Sequence, residues 1–89
     1  MADNRRVTSQ ERIMRALWSV MREHRKKLGP TATQEEIAHR ARISVRHLQK
    51  IEAGVANPKL ETLLALSAAL KTNLQTLLDR ADHIAGRKA

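Results

Sequence analysis

Helix-capping and helix-stopping residues recur at short intervals and divide this chain into apolar segments of only a few turns each. Thr33, Ser44 and Asn73 belong to the residue types that favour the position before a helix, because their side-chain oxygens accept hydrogen bonds from unpaired backbone amides. Gly29-Pro30 and Gly54 are stop signals. The sequence therefore predicts one longer helix before Gly29-Pro30 and several short helices after it.

The first predicted helix begins at Thr8 or Ser9, and Thr8 has capping-box spacing with Glu11. It ends before Gly29-Pro30. Residues that share one face at helical spacing are expected to lie in the core, and they are Ile13, Met14, Leu17, Val20, Met21, His24 and Leu28.

Four further helices are predicted after Gly29-Pro30. Helix 2 is short and follows Thr33, and helix 3 runs from about Val45 to Glu52. Helix 4 is expected to hold Pro58 in its first turn, where proline is tolerated, and helix 5 follows Asn73 and can continue to Ile84. The apolar residues of helix 4 are Leu60, Leu63, Leu64, Leu66 and Leu70.

Composition supports an all-α chain with one domain. Leu and Ala predominate, and Trp18 is the single aromatic residue among 89 residues, a length that leaves no room for a second core. We expect a flexible basic arm over residues 1–7, one helical domain over residues 8–85 and a short tail over residues 86–89.

Several classes of function are disfavoured. The chain has no Cys, and its four His have no shared metal-ligand spacing, so we expect no disulfide, no metal site, no cofactor and no enzymatic activity. With one aromatic residue, a reader of single-stranded nucleic acid built on base stacking is also unexpected. The longest uncharged run has nine residues, too few to span a membrane. We expect a soluble, cytoplasmic protein without a membrane partner.

The net charge of +8 is large for a chain of this length and indicates a polyanionic partner. Nucleic acid and an anionic membrane surface both carry the required charge. Helix 3 favours nucleic acid, because one of its faces is apolar while Arg46, Gln49 and Lys50 project from the other. Arg and Lys donate hydrogen bonds to guanine, and Gln pairs with adenine.

The stretch from Thr33 to Leu70 resembles the Cro/repressor (XRE) family of helix-turn-helix transcription regulators. The matching pieces are QEEIA at Gln34–Ala38, Ile43-Ser44, IEAG at Ile51–Gly54, Asn57-Pro58 and the leucine-rich segment from Leu60 to Leu70. With Arg22 and Arg25 added, the resemblance covers roughly residues 10–79. The combination of these pieces is specific, although no single one is.

The resemblance implies a compact five-helix, lambda-repressor-like domain whose third helix enters the major groove of double-stranded DNA. The positions that match base-contacting residues are Val45, Arg46, Gln49 and Lys50. Phosphate contacts are expected from Thr33, Gln34, Arg42, Ser44, His47, Asn57 and Lys59. The resemblance also implies a structural ion pair between Arg25 and Glu52.

Two positions depart from the family pattern. Arg42 and Lys71 each stand where the family commonly has Gly, and a left-handed backbone there costs a side chain on the order of 1 kcal/mol. Neither departure breaks the fold, and Arg42 adds a charge beside the groove.

The resemblance further implies a homodimer on an inverted repeat, with Leu74, Leu78 and Ile84 as the candidate dimer surface, and a repressor or controller role. One alternative stays open at this stage, an antitoxin-type protein-interaction module with autoregulatory DNA binding. A non-specific binder of nucleic acid or membrane surfaces, driven by charge alone, is disfavoured because its helices should lack the buried apolar pattern that these helices have. Arg5 and Arg6 form either a solvated tail or an arm that enters the minor groove.

Overall fold

Five α-helices make up the part of the chain that the computed structural model describes, residues 9–86. They are α1 (Ser9–Lys27), α2 (Gln34–Ala41), α3 (Val45–Glu52), α4 (Leu60–Ala69) and α5 (Leu74–Ile84). No strand is present between residues 9 and 86, and the predicted all-α class is confirmed. The predicted arm, the Thr8 cap and residues 87–89 of the predicted tail lie outside the described residues.

Side-chain caps begin three of these helices, as the sequence predicts. Thr33 Oγ1 accepts a hydrogen bond from the Glu36 amide at 3.0 Å, and Ser44 Oγ accepts one from the His47 amide at 3.0 Å. Asn73 Oδ1 accepts one from the Thr76 amide at 2.8 Å. These bonds satisfy amides that have no partner inside their own helix.

The prediction for the start of α4 is wrong. Lys59 is the residue that precedes the helix, with an extended backbone and no side-chain capping bond among the described residues. Pro58 therefore lies before the cap and not in the first turn.

The core receives a fully buried side chain from each helix. Val20, Ile37, Ile51, Leu66 and Leu77 come from α1 to α5 in turn, and each is at most 1% exposed. The long helix α1 packs along α5, α2 packs against α4, and α3 contacts both α2 and α1. Full burial of one such side chain stabilises the fold by about 1.5 to 3 kcal/mol, so every helix is held by the same core.

Three residues that the periodicity places in the core are exposed instead: Met14, Leu60 and Leu64. On α1, Trp18 is buried one turn after Met14. The α4 sequence is apolar around most of its circumference, so a wheel cannot tell which side faces the core. The structure decides this by packing Leu66 and Leu70 inward.

The three helices α2, α3 and α4 end in the same motif, in which one residue adopts a left-handed backbone. These residues are Arg42 (φ 60°), Gly54 (φ 79°) and Lys71 (φ 61°). In each case the following amide bonds back across the last turn: Ile43 to Ala38 at 3.0 Å, Val55 to Lys50 at 2.9 Å, and Thr72 to Ser67 at 3.0 Å. Glycine adopts this conformation without penalty, whereas the side chains of Arg42 and Lys71 make it unfavourable.

We therefore expect Lys71→Gly to stabilise the protein by about 1 kcal/mol, because the substitution removes the Cβ that disfavours a left-handed backbone. For a domain of this size that corresponds to a rise in the melting temperature of roughly 4 to 8 °C. Circular dichroism during heating measures it. Lys71→Ala is the control, since it removes the charge and keeps the Cβ. An equal gain in both variants would contradict the backbone explanation.

Candidate nucleic-acid interface

The connection between α2 and α3 is three residues long and fixes the angle between these helices. Arg42 reverses the chain through its left-handed backbone. Ile43 is half-buried and packs against the core, and Ser44 begins α3 as its N-cap. A short turn anchored at its middle residue holds two short helices in the steep arrangement of a helix-turn-helix.

The helix α3 has one buried and one exposed face. Leu48 and Ile51 are buried in the core, whereas Arg46, Gln49 and Lys50 are exposed. Neither the Arg46 side chain nor the Lys50 side chain forms a hydrogen bond or an ion pair with another residue of the described chain. The donors of both side chains are therefore available to an external partner.

Two other predicted contact residues on α3 are less accessible. Val45 is half-buried and packs against the core, so only part of its side chain is available to a base. His47 is also half-buried, and its Nε2 is closed to solvent and has no hydrogen-bond partner among the described residues. Its amide is already bonded to Ser44. A phosphate contact from His47 in this rotamer is thus limited to Nδ1.

An ion pair ties the C-terminal end of α3 to α1. Arg25 Nε donates to Glu52 Oε2 at 2.8 Å, and Arg25 Nη2 donates to Glu52 Oε1 at 3.2 Å. A third donor, Arg25 Nη1, lies 3.3 Å from the carbonyl oxygen of Ala32. Glu52 is buried and Arg25 is half-buried, so the pair expected from the sequence is present and is shielded from solvent on the Glu52 side.

Gln34 connects this ion pair to the exposed face of α3. The connection was not predicted from the sequence. The Nε2 of Gln34 donates to Glu52 Oε1 at 2.9 Å, and the Oε1 of Gln34 accepts a hydrogen bond from Gln49 Nε2 at 3.3 Å. The remaining Nε2 hydrogen and the Oε1 of Gln49 are the pair of groups that recognise adenine. No sequence signal identifies this bridge, because its three members lie on different turns of two helices and meet only in the folded chain.

The remaining predicted phosphate contacts lie on the turns around α3. Thr33, Arg42, Ser44, Asn57 and Lys59 are all exposed. Since α4 begins without a side-chain cap in the described chain, the amides of Leu60 and Glu61 are uncapped directly after the cation Lys59, whereas the Thr62 amide already donates to the Lys59 carbonyl oxygen at 3.0 Å. Backbone amides at a helix start and a nearby cation together favour an anion.

Arg40 is the one cation between Ile37 and Ile51 that the fold uses internally. Its Nε donates to Glu36 Oε2 at 2.9 Å, and its Nη1 lies 3.4 Å from the carbonyl oxygen of Ala69 at the end of α4. The available cations of this region are therefore Arg42, Arg46 and Lys50.

Two further observations concern residues 9–86. No group of three or more His, Asp or Glu side chains in this range could hold a metal ion. No helix in the same range is long and apolar enough to cross a membrane.

A protein-family model described as helix-turn-helix matches residues 21–77. The match includes all of α2, α3 and α4 together with parts of α1 and α5, which is more than half of the chain. No curated protein and no solved structure matches the chain significantly.

The buried end of the network makes Glu52 important for stability. We expect Glu52→Ala to lower the free energy of unfolding by about 3 kcal/mol, because Arg25 loses its partner in a shielded environment. Urea unfolding followed by the fluorescence of Trp18 measures the change. The matched control is Glu36→Ala, which breaks an exposed pair with Arg40 and should cost at most about 1 kcal/mol. Similar losses in the two variants would argue against a special role for Glu52.

Proposed function

The chain belongs to the Cro/C1-type (XRE) helix-turn-helix family of DNA-binding transcription regulators, and from that premise we propose that it is a repressor or controller of transcription. In this proposal two copies read an inverted repeat, each with α3 in the major groove of double-stranded DNA. The family is a regulator domain and is not typically enzymatic.

The observation that carries the proposal is the division of α3 into a buried apolar face and an exposed donor-rich face. A helix can read bases in the major groove only if the side chains that face the bases keep hydrogen-bonding groups that their own protein does not use. Arg46 and Lys50 meet this condition within the described chain. Because the opposite face is held by Leu48 and Ile51, the donors are presented from a rigid support, as specific readout requires.

We assign base contacts to the exposed face of α3. Arg46 and Lys50 have donors for guanine O6 and N7, and Gln49 has the donor and acceptor that pair with adenine. Gln34 supports this assignment for Gln49, since it holds one hydrogen of the Gln49 amide and leaves the groups that adenine requires. Val45 offers methyl groups to a thymine methyl, over the part of its side chain that is exposed.

Phosphate contacts are assigned to the turns on either side of α3. Arg42 and Lys59 supply charge, and Thr33, Ser44 and Asn57 supply polar groups close to helix starts. Such contacts fix the position of a protein on the duplex without reading its sequence. Because Nε2 of His47 is closed to solvent, we expect His47 to contribute little to phosphate binding.

We propose two copies because of the small number of base pairs that one α3 helix can contact. A single short recognition helix contacts only a few base pairs, so useful specificity needs a second helix about 34 Å away on the same side of the duplex. Two identical copies related by a two-fold axis would then require a DNA site with the symmetry of an inverted repeat.

Selection of bound sequences from a random duplex pool tests this function directly. We expect an inverted-repeat consensus whose half-sites are about one helical turn apart. Enrichment of unrelated sequences would reject sequence-specific readout. A consensus without two-fold symmetry would reject the paired arrangement and retain specific binding.

Two substitutions separate base reading from phosphate binding. Arg46→Ala should cost about 1 to 3 kcal/mol on the selected site and relax the preference at one base pair. Lys59→Ala should weaken binding to all sequences alike and reduce the salt dependence by about one phosphate contact. Fluorescence anisotropy with specific and scrambled duplexes at several salt concentrations measures both. Equal losses on every duplex for Arg46→Ala would mean that α3 does not read bases.

A further inference from the structure

The helix α4 carries an apolar stripe that the fold leaves uncovered. The stripe consists of Leu60, Leu64 and Ala68, which are four residues apart and therefore lie along one side of the helix. Leu60 is 63% exposed and Leu64 is 52% exposed, and Ala68 is also exposed. Two large apolar side chains and one small one on the same side of a helix form a surface against which a second helix can pack.

The other side of α4 is buried, which makes the stripe unusual. Leu66, Ser67 and Ala69 lie in the interior, where α4 packs against α2 and α5. Glu61 is the sole charged residue in the α4 sequence LETLLALSAA. A helix that is apolar around its circumference is normally covered on all sides, so the stripe corresponds to the side that an additional partner covers.

The charged residues beside the stripe indicate which partner this is. Glu61 lies near the N-terminal end of the stripe and Lys71 follows its C-terminal end, and both are exposed. When two α4 helices are placed antiparallel with Leu64 of one opposite Ala68 of the other, the same register brings Glu61 opposite Lys71. Each end then has a pair of opposite charges, and the large Leu64 faces a small residue. The surface is thus complementary to itself.

The helix α5, on which the candidate dimer surface is expected from the sequence, exposes less apolar surface than α4. Leu74 is half-buried, and Leu78 is 38% exposed, less than Leu60 or Leu64, because α1 packs along α5. Its outward positions are polar: Gln75, Asp79, Asp82 and His83. Ile84 is exposed, but it lies at the end of the helix.

We propose that the partner of the α4 stripe is a second copy of this chain, packed through an antiparallel α4–α4 contact across a two-fold axis. The proposal rests on the proposed function in one respect, namely that a two-fold dimer suits an inverted repeat. Its physical basis is separate, since the exposed leucines and the charge pattern concern association in the absence of DNA. A local attraction between Glu61 and Lys71 also offsets the repulsion between two chains of charge +8.

The first test removes the apolar contact. Leu64→Glu should raise the dissociation constant of the dimer by about 100-fold or more, because two leucines leave the interface of a symmetric dimer at once. Analytical ultracentrifugation of the full chain measures it, and the fluorescence of the buried Trp18 checks that the variant is folded. Leu78→Glu is the matched control on α5. Loss of the dimer in the control alone, or a wild-type chain that stays monomeric, would overturn the proposal.

The second test examines the register and does not depend on Leu64. Glu61→Lys and Lys71→Glu each place like charges at both ends of the homodimer, so each variant alone should dimerise roughly 3- to 30-fold more weakly. An equimolar mixture should recover the affinity, because both pairs are then of opposite sign in the mixed dimer. Glu23→Lys mixed with Lys26→Glu repeats the charge changes on α1, away from the stripe. Recovery that is no greater than in this control mixture would refute the α4 register.

Binding to DNA separates this proposal from the proposed function. A folded, monomeric Leu64→Glu variant should retain specific binding to a duplex with one half-site and lose the gain in affinity from a second half-site. That result supports both proposals. An unchanged gain from the second half-site would overturn the α4 interface, whereas loss of half-site specificity in the wild-type chain would overturn the readout function.

Discussion

The rest of this structure depends on the ion pair and the hydrogen bonds that the buried carboxylate of Glu52 receives. A carboxylate in the interior is tolerated only when opposite charge and hydrogen-bond donors surround it, and Glu52 receives donors from Arg25 and Gln34. These partners lie on α1 and α2, so satisfying one carboxylate fixes α1, α2 and α3 relative to one another. The same requirement orients Gln49 through Gln34. Stability and the geometry of the exposed face are therefore linked in one network.

A second feature is that α2, α3 and α4 are short and that all of their ends except the start of α4 are closed locally. Thr33 and Ser44 cap the starts of α2 and α3, and left-handed residues close the ends of α2, α3 and α4. Two of these three residues, Arg42 and Lys71, are not glycine, so the chain accepts backbone strain at both places. At Arg42 the strained residue also places a cation beside α3, which provides a physical reason for a charged residue at that turn.

The basic side chains around α3 fall into those that the fold engages and those that it leaves exposed. Arg25 and Arg40 are engaged with Glu52, Glu36 and carbonyl oxygens of the fold. Arg46 and Lys50 have no such partner in the described range. A count of basic residues cannot make this distinction, since all four lie in or next to the matched family segment and look alike in the sequence. The separation of these two groups is what gives α3 one face for the protein and one for a partner.

The sequence by itself determined the all-α class, the capped starts of α2, α3 and α5 and the two faces of α3, because caps, stops and helical spacing act within a few residues. The start of α4, where no side chain caps the helix, was misplaced for the same reason. The Arg25–Glu52 pair came from the family resemblance and not from spacing. Only the tertiary structure decided that Gln34 joins Glu52 to Gln49, that Val45 and His47 are partly covered, and that the leucines of α4 divide between core and surface. These outcomes depend on which helices pack against each other, and residue spacing within one helix does not encode contacts between helices.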